Sequence, residues 1–239
     1  MTTLVTSAAY AASKTLAPFG STPTRSQLSE VISALLGYQT YAALGIEEAN
    51  TSLPYHLDDA EILVLDKPSA EKRATAIGIA NVSAVVQACI DAITDAVGPD
   101  ISVFAGIDDF YDSYARNRMV LAAISSDEVS NAMAECNADF DEDPEFPDKT
   151  PATDNLWQAR AEWTIEADGD WVGSYDPDAD RMFNGDTLHC SAKLSYDKAG
   201  RSGLVESNSE AYAHRDDSWA DDDYEAEQAY LAEQRESKA

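Results

Sequence analysis

The side chains best suited to nucleophilic or metal chemistry are few: histidines His56, His189 and His214, and cysteines Cys89, Cys136 and Cys190. Their spacing supports neither chemistry, because no CxxC pair exists and no two histidines share a metal-ligand interval. His189 adjoins Cys190, but neighbouring strand residues point to opposite faces, so a Cys–His nucleophilic pair would have to form across strands. The segment YDPDADRMFNGD alternates Asp176, Asp178 and Asp180 in the manner of a calcium loop. A helix–loop–helix calcium site needs glycine at the sixth position and glutamate at the twelfth, where Arg181 and Thr187 stand. A looser cation site adding Asp168, Asp170 or Asp186 competes with solvated acidic loops, and the loops are the expected reading. Asp108, Asp109 and Asp112 read as the solvated face of a helix, since no basic or polar cluster accompanies them. The expectation is therefore no catalytic residue, no metal, no cofactor and no enzyme.

Charge is where the chain departs from an ordinary globular composition. Its 44 acids face 16 bases, a net of -28, with 44% hydrophobic residues. That charge repels phosphate backbones, so direct nucleic-acid binding by the whole surface is not expected. The excess is uneven: the first 57 residues hold only Glu30, Glu47 and Glu48 as acids, and residues 136–239 hold most of the surplus. The odd cysteine count argues against a disulfide framework and for a reducing, cytoplasmic setting. The N-terminus lacks a basic region followed by an apolar run, and no stretch approaches a membrane span.

The elements that would carry these groups divide into a helical first part and a strand-rich second part, an α+β fold class. Residues 4–16 are helix-prone and end at Pro18 and Gly20. Thr24 and Gln27 have capping-box spacing ahead of Leu28, Val31, Ile32, Leu35 and Leu36, and Gly37 closes that helix. A further turn or two is expected from Thr40 to Glu48. Val82, Val85, Val86, Cys89, Ile90, Ile93 and Val97 form one helical stripe closed by Gly98-Pro99. Glu61 to Leu65 is a strand or a buried helical turn, which periodicity cannot decide. Residues 107–118 read as helix, and Ser125 with Glu128 as the start of another reaching Asn137. The expected helical domain is 1–137, with an acidic, proline-containing linker at 138–154. Period-two alternation then begins at Trp157 and returns at Leu188 to Tyr196, with further strands at 171–175 and 204–213. These predict an antiparallel β-meander domain of about four strands over 155–214, followed by an acidic, partly helical tail over 215–239.

At TLAPFGSTPTRSQLSEVISALLGYQTYAALG, residues 15–45, Ser26, Gln27, Leu28, Leu36, Gly37, Tyr38, Tyr41 and Leu44 carry a likeness. The stretch resembles a small helical module of bacterial proteins grouped with the glyoxalase superfamily. The chain departs from that pattern at Arg25, where the module has histidine, and at Thr40-Tyr41, where it has Trp-Asn. The resemblance implies a helical fold for this stretch and no glyoxalase activity, because residues 157–213 lack the His/Glu ligands such an enzyme needs. A helix-turn-helix outline over 24–45 fails as a DNA reader, since QTYAALGIEE carries no Arg or Lys.

What remains is an interaction protein. Alternating aspartates on an extended segment repeat at about 6.6 Å, close to successive phosphates, and fixed carboxylates can fill a Lys/Arg groove. The expected contact set is Asp139, Asp141, Glu142, Asp143, Asp168, Asp170, Asp176, Asp178, Asp180, Asp186, Asp216, Asp217, Asp221, Asp222 and Asp223. The expected partner is a basic protein or nucleic-acid-processing complex, bound by a phage- or plasmid-type inhibitor of the anti-restriction or anti-CRISPR kind. The alternative is a structural or accessory protein, viral in one version, of a high-salt organism, its acidity serving general solvation.

Overall fold

The computed structural model describes residues 2–19, 23–178 and 182–218; Asp180, Asp221, Asp222, Asp223 and the tail beyond 218 lie outside the described residues. The chain is α+β. Its helices are α1 (Thr2–Leu16), α2 (Arg25–Leu35), α3 (Tyr41–Glu48), α4 (Lys67–Ala76), α5 (Val82–Ala96), α6 (Ile107–Phe110), α7 (Arg116–Ser125) and α8 (Asp127–Glu135). A π-helical turn over Tyr111–Ala115 joins α6 to α7.

Helix α2 shows how local chemistry sets an element. The Thr24 hydroxyl accepts from the Gln27 amide and the Gln27 side chain accepts from the Thr24 amide, so two donors at the helix start are satisfied reciprocally. Gly37 leaves the helix at φ 80, a conformation costly to L side chains, and a Cβ there would lie 3.0 Å from Arg201 and Trp157. At the C-terminal side, α8 is capped by Ser126, whose side chain accepts from the Val129 amide at 3.4 Å. The expected cap at Ser125 is displaced by one residue, because the Ser125 hydroxyl instead donates back to the Leu121 carbonyl and closes α7.

Five strands form one sheet in the order β2-β1-β5-β4-β3, with β1 (Ile62–Val64), β2 (Ser102–Phe104), β3 (Glu162–Val172), β4 (Thr187–Ala199) and β5 (Gly203–Arg215). Glu61–Leu65 thus resolves to a strand, parallel to β2 in the register Leu63↔Val103 and antiparallel to β5 through Ile62↔Leu204. The expected four-strand meander is therefore corrected to three long strands extended by a parallel pair from the helical part. Residues 171–175 are not a separate strand but continue β3 as far as Val172. The alternation at Trp157 to Ala161 is a turn rather than strand. The Asn155 side chain accepts from the Trp157 amide at 3.1 Å, its carbonyl accepts from Gln158 at 3.0 Å, and the indole donates to the Val64 carbonyl. A local Asn turn here outcompetes the sheet ladder.

Contacts divide the chain into two compact units that interleave along the sequence. The first holds 1–115, 149–165 and 194–208; the second holds 116–148, 166–193 and 209–239. In the first, α1, α2, α4 and α5 bury Val5, Leu28, Ile32, Leu35, Val86 and Ile93 with Leu63 and Leu65. In the second, Val129, Ala132 and Cys136 of the α8 region are buried, as are Phe146, Trp171, Leu188, Cys190 and Ala211. Among the described residues no helix is long and apolar enough to cross a membrane.

Candidate partner-binding face

The second unit holds every described member of the expected contact set. Residues 138–146, expected as linker, are instead ordered beside β3. The Asp139 amide and carbonyl exchange bonds with Ser174 at 2.9 and 2.8 Å, and Glu145 does the same with Asp170 at 2.8 and 3.0 Å. Trp171 donates its indole N–H to the Glu142 carbonyl and meets Phe140 edge-on at 5.9 Å. Phe146 and Pro144 are buried, while Asp139, Asp141, Glu142, Asp143 and Glu145 remain exposed. The aromatic residues between the acids were the overlooked signal: they anchor the strip, and the carboxylates are what is left facing water.

Gly169 lets this strip come close. A Cβ there would lie 2.3 Å from the Glu145 carbonyl oxygen and 3.0 Å from the Phe146 ring. Gly169→Ala is expected to destabilise the unit by about 1–3 kcal/mol, since backbone must move to admit the methyl group. Hydrogen exchange at the Glu145 and Asp170 amides should accelerate together; unchanged protection would show that the strip does not depend on this approach.

On the outward face, β3 contributes Asp168 and Asp170, β4 contributes His189 and Ser191, and β5 contributes Tyr212 and His214 around a concavity of about 500 Å³. His189 Nδ1 lies 2.7 Å from Asp170 Oδ1, and its Nε2 lies 3.8 Å from Asp216 Oδ1, beyond hydrogen-bond reach. The His189 and His214 rings sit 5.3 Å apart. Asp216 is held below the usual carboxylate range, first by the Ser218 backbone amide at 2.9 Å and then by the Ser218 hydroxyl and His189. Cys190 points the other way into the core, where burial, aided by Asp170, pushes its thiol up to about 11. A resting thiol of that kind is a poor nucleophile at neutral pH. Sequence spacing could not reveal the Asp170–His189–His214 row, because strand neighbours are far apart along the chain.

The remaining contact candidates do not line this concavity and are held by bonds to near neighbours in sequence. The Asp176 carboxylate accepts from the Asp178 amide at 2.9 Å in a local turn, Asp186 accepts from the Thr187 hydroxyl at 3.2 Å, and Asp217 accepts from Arg215 at 2.6 Å. Among the described residues no group of three His, Cys, Asp or Glu side chains is placed to hold a metal ion. The paired-carboxylate candidates in the first unit serve structure: Asp109 accepts from the Ala105 amide at 2.8 Å and Asp108 from the Thr150 hydroxyl at 2.6 Å.

No family model, curated protein or solved structure matches the chain.

Proposed function

We propose that the chain is a non-catalytic interaction protein whose second unit binds a cationic, nucleic-acid-handling protein by offering carboxylates where that partner expects phosphates. One observation carries the reading. Among the described residues of that unit, 18 carboxylates face four Lys and Arg side chains, and those few cations are drawn on within the unit, as Arg116 is by Asp148 and Arg215 by Asp217. Little internal neutralisation is left, so the field of the face extends toward solvent. The anchored strip Asp139–Glu145 is fixed before binding, which lowers the ordering cost that flexible acidic chains pay.

The test is capture of a partner from lysate across a salt series, followed by competition with duplex DNA. The variant Asp139→Asn/Asp141→Asn/Glu142→Gln/Asp143→Asn should bind at least about tenfold more weakly and with a shallower salt dependence. A partner held equally well by wild type and variant, or one that DNA does not displace, would remove the proposal.

A second reading, general salt adaptation, is favoured by the first unit, where 18 described carboxylates face nine Lys and Arg side chains. It predicts that thermal stability climbs steadily into molar salt, whereas the binding reading requires a stable fold at low ionic strength.

A further inference from the structure

One concavity in this acidic protein is lined by cations and no carboxylate. It lies in the first unit between the end of α2 and one face of α4, has a volume of about 370 Å³, and is walled by Gly37, Gln39, Ser69, Lys72 and Arg73 with small apolar Ala34 and Ala76. Ser69, Lys72, Arg73 and Ala76 recur at helical intervals of three and four, so one face of α4 presents them together. Helix α4 holds Lys67, Lys72 and Arg73, three of the chain's 16 basic residues, within seven positions.

The protein's own acceptors use only part of the donor capacity in this cleft. Arg73 gives one terminal nitrogen to Glu30 at 2.6 Å, while its buried Nε has no partner. Among the described residues, the Ser69 hydroxyl, the Gln39 amide group and the Lys72 ammonium make no hydrogen bond, since the Ser69 backbone amide alone is engaged, by Asp66. The end of a helix normally repels anions through its bare carbonyls. Here that objection is weakened, because the carbonyls of Ile32, Ser33, Ala34 and Leu35 already accept from Leu36, Tyr38, Gly37 and Asp66. The Gly37 carbonyl accepts from Arg201.

We infer that this cleft binds a phosphoryl group, free or as a small phosphate monoester, with Lys72 and Arg73 supplying charge and Ser69 and Gln39 supplying neutral donors. A tetrahedral dianion can use donors converging from several directions, as these do from two elements, and a guanidinium beside an ammonium is a pairing suited to it. The volume exceeds what phosphate alone fills, so the Ala34 and Ala76 side leaves room for the organic part of an ester. This site is independent of the carboxylate face and of the partner proposed for it.

The experiment is an amide-resonance titration of the full chain with inorganic phosphate, with glycerol phosphate, and with acetate as a singly charged control. Saturable shifts confined to Gly37, Gln39, Ser69 and their neighbours are expected for either phosphate, tighter for the ester if the apolar wall is used, with acetate at least about tenfold weaker. Lys72→Glu, an exposed change that leaves the Arg73–Glu30 pair intact, should weaken phosphate by about tenfold or more. Arg73→Gln should do the same, with a melting curve run beside it because that change also breaks the pair to Glu30. Non-saturating or scattered shifts, or a Lys72→Glu variant that binds phosphate as wild type does, would overturn the assignment.

Discussion

Lys198→Met should flatten the rise of stability with pH expected of the wild-type chain just above neutrality. Lys198 is 3% exposed, and burial lowers its ammonium from 10.5 to about 7, partly offset by Glu47. Between those two values the unfolded chain holds a proton that the folded chain has released, so stability increases as pH rises. Below pH 7 the folded state must keep the charge buried, and the full penalty is at most about 5 kcal/mol. The useful window is pH 7 to about 8.5. Above it the unfolded thiols of Cys89 and Cys190 ionise while burial holds the folded thiols to about 12 and about 11, which subtracts stability as pH rises. The substitution also leaves the Arg201 carbonyl without its donor, now 2.7 Å from Nζ, a pH-independent cost of about 1 kcal/mol. Urea midpoints at half-unit steps therefore test the slope and not the offset. Glu47 stays satisfied in the variant through Tyr38, Arg160 and Arg201, at 3.1, 3.1 and 3.2 Å. Parallel pH profiles for the two proteins would show that Lys198 is not desolvated as its surroundings imply.

The second large effect is expected at Phe110. Its ring is fully buried and lies 5.4 Å from Phe104, 5.7 Å from Tyr114, 6.0 Å from Trp163 and 5.8 Å from Tyr196, mostly edge to face. It is the shared member of a five-ring cluster built from β2, α6 and its following turn, β3 and β4. Phe110→Ala should cost about 3–5 kcal/mol, the transfer term plus a cavity that four rigid rings cannot collapse to fill. Phe110→Leu, which keeps most of the volume, should recover more than half of that loss. Denaturant unfolding of both variants reads the difference, and a loss below about 1 kcal/mol for the alanine variant would mean the cluster is loosely packed.

Elements with both ends written in local chemistry were legible in the chain. Helix α2 has a reciprocal cap at Thr24 and Gln27 and a left-handed stop at Gly37, and α5 has an apolar stripe between Asn81 and Gly98-Pro99; both form where the pattern places them. Strands were legible in type but not in extent. Trp157 to Ala161 alternates like a strand, yet the Asn155 turn and the indole bond to Val64 take those residues out of the sheet. Proline and aspartate density at 138–154 suggested a linker, because composition reports solvation and says nothing of Phe140 meeting Trp171 across some thirty residues or of Phe146 being buried.

From its sequence alone the protein was bound to be α+β, acidic, and free of closely spaced metal or nucleophile motifs, since each follows from residue type and from interactions within a few positions. Tertiary structure alone decided that the carboxylates of 139–145 are anchored beside β3, and that Asp170 meets His189 across strands. It alone decided that Lys198 lies buried within the field of Glu47, and that Lys72 and Arg73 line a cleft whose walls include no acid. Those arrangements join residues from separate strands and helices, and their energies depend on distance, burial and field, quantities that exist only after the chain has closed on itself.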